Sequence, residues 1–405
     1  MERKNISKIA LALLAALASS SCSRPEKIAS VSENDLFTLN YGNFEDELNV
    51  FDLASAGSIN TFMTMRDGFF YIANGESKRI LELNSYGDLL SLYYNEDSMY
   101  NLDFADENSG NSTKKAVSYP FNKLGPVAVD ADKRLYAVDT LPPERHEMDE
   151  ERQLLLSNIV LRFDSDGKFI DYIGQQGPGG TPFSFVKGIY ATKDGELVVV
   201  CCTNGGFDVF WFGTNGFLLY QLSVNEDNVP KLQRDGAEGN AHLSIENVVP
   251  DFSSHKVYLK IDYYEDSIDS DLKVQSGIDY AKTMLYPLDV TTGAYEDGFD
   301  IPAYEYSSSE GLSQEIETIP FDFLGVTENG WFFFMIPVDD GYLVQMVQPD
   351  GQRVVKRHLS VDHGRILYHS IALSDSGIVS GLFVRRENAE VVWWRTDSLI
   401  ASFGS

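Results

Sequence analysis

The chain has 405 residues, 12% of them aromatic, and carries 61 acidic against 32 basic side chains for a formal charge of −29. A field of that sign repels phosphate backbones and argues against nucleic acid as a partner. Beyond Cys22 only the adjacent Cys201 and Cys202 remain, so no disulfide framework is expected and the fold must bury a sizeable core.

At the N-terminus, Arg3, Lys4 and Lys8 precede the short apolar run IALALLAALA, residues 9–18, and small residues lead to Cys22. A charged start, an apolar core and a small-residue end read as an export signal over residues 1–21. The core is too short to stay as a spanning helix. The stretch Leu17, Ala18, Ser19, Ser20, Ser21, Cys22 resembles the processing box of bacterial lipoprotein precursors. Those chains are cut before a cysteine that then takes lipid. The resemblance implies a fatty acyl anchor on Cys22, holding the protein to a bacterial membrane at the outer membrane or a periplasmic face without spanning it. Without residues 1–21 the body has 29 basic and 60 acidic side chains, a charge of −31. Such a body avoids anionic head groups and leaves the acyl chain as the anchor. Residues 22–34 are polar and read as a tether. No later stretch holds 18 consecutive apolar residues.

From residue 35 onward the chain repeats a unit of short strands and glycine turns. The copies are 59–94, 125–174 with an insertion, 186–222, 246–299 with an insertion, 321–359 and 368–403. Glycines recur within them, as at Gly68 and Gly87, Gly195 and Gly216, and Gly330 and Gly351. Glycine takes positive φ at tight hairpin turns without a Cβ clash. The sixth copy lacks the second glycine and is expected to turn at Thr396, Asp397 and Ser398. Units of this size with four short strands signal an all-β propeller, and six of them predict six four-stranded blades over residues 35–405. DLFTLNY, residues 35–41, is expected to add the outermost strand of the last blade and close the ring, which hides two edges that would otherwise aggregate.

The run NIVLRFDSDGKFIDYIGQQGPGGTPFSFVKGIYATKDGELVVV, residues 158–200, carries a family likeness. With Tyr71 to Asn74 and Tyr136 to Asp139 it resembles the NHL-repeat type of six-bladed propeller. With the signal box it is also similar to propeller lipoproteins of spirochaetes, most of which have no assigned function.

Two aspartates and a glycine in FDSDGKFIDYIG, residues 163–174, pose the question of a metal loop. A calcium loop of the EF-hand kind places its glycine at position 6, whereas from Asp164 the glycine falls at position 4. The stretch reads as a turn capped by Asp164. Cys201 and Cys202, in ELVVVCC, alternate across a strand and read as packing residues. The glycines of 177–180 lack the helix start that a phosphate cradle needs.

The strands expected to face the central channel are TFMTM, GPVAVD, KGIYAT, ENVVPD, FDFLGV and SIALS, carrying Asp130, Lys187, Glu246, Asn247, Asp322 and His369. Oxygen ligands from Asp130, Glu246, Asn247 and Asp322 would suit a divalent metal in a hydrolase or lactonase. That is the alternative reading. The preferred one is a non-enzymatic scaffold that needs no cofactor and binds an envelope protein through loops rich in tyrosine and acid. These are the insertions 144–157, expected to include a short helix, 262–280 with Tyr263 and Tyr264, and 303–320 with Tyr304 and Tyr306. A sugar- or peptide-binding propeller is a third reading, and exposed aromatics around a channel mouth would mark it. The oligomeric state is not written in the sequence.

Overall fold

The computed structural model of the protein describes residues 28–50, 59–98, 114–232, 241–268, 274–310 and 313–402. Six antiparallel sheets stand in a ring, and the fold is a six-bladed β-propeller. Leaving aside the N-terminal strands that join blades 5 and 6, the first strand of each blade is innermost: Thr61–Arg66, Leu124–Val129, Phe185–Ala191, Ala241–Pro250, Asp322–Val326 and Tyr368–Leu373. These are the six strands expected at the channel.

Burial follows position in the blade. Middle strands are covered on both faces by neighbouring blades, so Asn158–Phe163, Gly341–Val347 and Val379–Val384 are buried throughout and read as continuous apolar runs. The outer strand Leu218–Asn225 instead alternates half-buried and exposed residues, because one of its faces meets solvent.

FDSDG is the hairpin between the third and fourth strands of blade 2. Asp164 Oδ1 accepts the Asp166 and Lys168 amides at 3.0 and 2.8 Å, and Gly167 sits at φ +83. Gly87, Gly216, Gly293 and Gly351 repeat that positive φ in blades 1, 3, 4 and 5. In blade 6 the expected turn at Thr396 to Ser398 is instead part of a helix, Asp397–Ala401. Its Ile400 is 4% exposed and caps the cluster around Trp394.

The ring closes at the N-terminus. Glu33–Leu39 pairs antiparallel with Ala389–Trp394 as the outermost strand of blade 6. Residues 30–34 of the stretch expected to be a tether are therefore largely sheet: Ser30–Val31 also lies parallel to His358 and Leu359 of blade 5. The segment then crosses to blade 1. There Arg79, fully buried, donates to the carbonyls of Gly42, Phe44 and Glu47. Asn74 holds both the amide and the carbonyl of Asn49, at 2.9 and 2.7 Å. One N-terminal strap thus spans three blades.

All innermost strands run in one direction, since the ends of all six line one cavity. The face where they begin is called here the entry face, and the other the exit face. Segments 143–157 and 262–280 join second to third strands, and 303–320 joins blade 4 to blade 5. Second strands and blade links both finish on the entry face, so all three insertions emerge there. Of the helix expected in 144–157 the described structure has only a single 3-10 turn at its start, Pro143–Arg145. Glu147–Asp149 pairs with Leu154–Leu156 as a hairpin whose leucines alternate buried, exposed, buried. Insertion 262–280 prolongs two strands of blade 4 into a ribbon, Lys256–Ile268 with Gln275–Asp289. Tyr304–Glu310 and Ser313–Ile319 form a separate two-stranded hairpin.

Candidate functional site

The four residues expected to share a channel metal do not meet. Asp130 is fully buried in a turn at the exit end of blade 2. Its carboxylate accepts the amides of Asp132 and Arg134, both at 2.9 Å, and the Tyr136 hydroxyl at 3.1 Å. Asn247 is also used: its Nδ2 donates to Phe323 O at 3.0 Å and its Oδ1 accepts the Val248 amide. Glu246 and Asp322 lie nearer the entry side with Lys187 beside them, whose Nζ donates to Glu246 O at 2.6 Å and sits 4.8 Å from the Phe207 ring centre. Burial pushes the Lys187 pKa down, against the opposing pull of Cys202, Glu246 and Asp322. Among the described residues no three carboxylate, thiol or imidazole groups gather as a metal site needs.

The binding-loop tyrosines divide. Tyr263 is 1% exposed and its hydroxyl donates to Pro230 O, so it is a core residue, not a contact residue. Tyr264 packs edge-on against Tyr280 across the ribbon, 6.1 Å between centroids. Tyr304 leans on Phe321 at 6.5 Å, and Tyr306 is 44% exposed. Around them the hairpins show Met148, Leu155, Ile268, Val274 and Ile278 to solvent. Cys22 lies outside the described residues. Cys201 and Cys202 are free thiols in a strand, both pushed up in pKa by burial.

The sequence reading missed the exit mouth of the channel. A cavity of about 120 Å³ lies there, and Arg66 reaches across it from blade 1. Its Nη1 donates to Val129 O of blade 2 at 3.0 Å and lies 2.8 Å from Asp375 Oδ2 of blade 6, while its guanidinium carbon stands 6.0 Å from the Phe252 ring centre of blade 4. One cation therefore ties four blades at the axis. Asp375 lines this pit and keeps about a third of its side-chain area open, yet most of its surroundings are protein. That confinement pushes its pKa up to about 6. Arg66 opposes the shift, and Asp67 and Glu328 add to it.

The raised pKa has a defined sign. Folded Asp375 holds its proton up to about pH 6, whereas an unfolded aspartate loses it near about 4. Its contribution to stability is fully present below the unfolded pKa and is lost as pH rises through the folded one. Asp375→Asn removes that loss. The melting temperature of the variant, relative to wild type, is expected to climb between pH 4 and pH 7, and a flat difference across that window would refute this ionisation.

No family model matches the sequence, and no curated protein matches it. Solved structures with a similar fold include a calcium-binding protein, regucalcin, from Agrobacterium tumefaciens, with TM-score 0.41, 11% identity and coverage of 91% of this chain and 95% of that one. A gluconolactonase from Xanthomonas campestris aligns with TM-score 0.38 and 12% identity over 92% and 99% of the two chains. A streptogramin B lyase aligns with TM-score 0.34 and 12% identity over 88% and 96%. Likenesses of this size carry neither activity, metal nor ligand to this chain.

Proposed function

We propose that the protein is a lipid-anchored, non-enzymatic propeller of the bacterial cell envelope, of NHL-repeat type, that holds a protein partner on its entry face. The observation that carries this reading is the placement of the three insertions. They come from different blades and different kinds of connection, yet all leave the ring on one face, as hairpins or ribbon bearing exposed apolar side chains. Grouped projections that expose apolar side chains such as Met148, Leu155 and Ile278 among acidic neighbours suit protein contact better than solvation alone. Against the hydrolase alternative stands that Asp130 and Asn247 already hold local hydrogen-bond partners.

The test is co-purification from solubilised envelopes. Replacing residues 305–318 with a short glycine-serine turn is expected to abolish capture of the partner and leave the melting temperature within about 2 °C of wild type, because among the described residues the two strands of this hairpin pair only with each other. Cys22→Ala serves as the unanchored control and should lose fatty-acid labelling. Failure of any protein to co-purify reproducibly, or undiminished capture by the hairpin variant, would overturn the reading.

A further inference from the structure

We propose that the exit mouth of the channel, on the face opposite the hairpins, binds a small zwitterion with a compact apolar side chain, an α-amino acid in form. A cavity of about 120 Å³ has room for about four waters or one small organic molecule. The charge of the ligand follows from the pair at its wall. Arg66 and Asp375 stand 2.8 Å apart and neutralise each other. A lone anion or a lone cation would have to part them, and an anion would also enter against the field of a strongly acidic protein. A zwitterion has no net charge and offers both signs side by side, so it can join the pair without breaking it.

Each member of the pair has capacity to spare. A guanidinium carries five N–H donors, but Arg66 makes one hydrogen bond among the described residues, to Val129 O. Its Nε is shut away from water and out of a ligand's reach, so the donors left to a ligand are those on the 15% of the side chain that stays open. Asp375 meets Arg66 through Oδ2, and its Oδ1 has no partner among the described residues. A carboxylate against the open edge of Arg66 and an ammonium against Asp375 Oδ1 would complete both with charge-assisted hydrogen bonds. The remaining wall selects the side chain. Met65, Ile189, Leu324 and Leu373 line it with the Phe252 ring, and burying a branched aliphatic group among them favours the complex.

Calorimetric titration of the purified protein with leucine tests this, with two probes that each lack one charge. These are 3-methylbutylamine, without the carboxylate, and 4-methylpentanoate, without the ammonium. Leucine is expected to bind, and each analogue to bind at least about ten-fold more weakly, the weight of one lost charged contact. Arg66→Gln and Asp375→Asn should weaken leucine by a similar factor with an unchanged circular dichroism spectrum. If either variant fails to fold, the analogue series on the wild-type protein decides alone. No heat at millimolar leucine overturns the proposal. So does an analogue that binds as tightly as leucine, or folded variants that keep full affinity.

Discussion

Removing residues 23–50 is expected to abolish the cooperative unfolding transition of the propeller. The strap formed by residues 28–50 supplies the outer strand of blade 6, an edge contact of blade 5 and a cover for blade 1. With it go the buried side chains of Leu39, Leu48 and Val50, each at most 4% exposed. At about 1.5–3 kcal/mol for each buried aliphatic side chain, their loss alone comes to roughly 5–9 kcal/mol, within the range of a whole domain's stability. Arg79 is then left buried without the carbonyls of Gly42, Phe44 and Glu47. Burial already holds its pKa down to about 10, against the pull of Glu47 and Asp46. The single substitution Arg79→Met isolates that part and is expected to cost about 1–3 kcal/mol in denaturant unfolding, since the half-buried carbonyls of Gly42 and Glu47 lose their donor while Phe44 O keeps the Glu47 amide. A truncated protein that still melts cooperatively, within a few degrees of the full chain, would show that the strap is ornament rather than closure.

The strap also shows what the sequence could disclose. DLFTLNY has the alternation of an edge strand and sits where an incomplete last blade needs one, so its place was legible. The clamp was not, because Arg79 sits in a strand like any other and its partners are backbone carbonyls more than thirty residues upstream. The glycine turns were legible for a local reason: positive φ at Gly167 and its counterparts is demanded within four residues. In 144–157 the run of charge masked a period of two, and only the buried Leu154 and Leu156 around the exposed Leu155 reveal it. The channel misled for a similar reason. Asp130 belongs to its own turn, and a bulge between Ile245 and Asn247 resets which faces Glu246 and Asn247 present. Arg66 and Asp375 are 309 positions apart, one at a strand end and the other in a serine-rich turn. Neither place marks them, and only ring closure brings them together.

Lys260→Met is expected to be the most damaging point substitution inside a blade. Lys260 and Asp262 face the same way on one strand, both 2% exposed, with Nζ 2.6 Å from Oδ2. Thr283 donates to the other carboxylate oxygen. The pair is closed off from water and from the cavity. Burial pushes the Asp262 pKa up, and Lys260 is the chief force holding it down. Removing the lysine leaves a buried carboxylate with only the Thr283 hydroxyl to offset its desolvation, and breaking a buried pair from one side costs about 3–5 kcal/mol. The pH dependence separates this from a packing defect. Asp262 in the variant titrates higher than in wild type, so its proton is held more firmly in the folded state. The stability deficit should therefore be widest above the folded pKa and narrow as pH falls toward the unfolded value of about 4. A deficit that stays constant from pH 8 to pH 5 would mean lost methylene packing and not a stranded charge. Replacing both residues, as Lys260→Met with Asp262→Leu, should recover most of the loss, because two apolar side chains in that space leave no charge to desolvate.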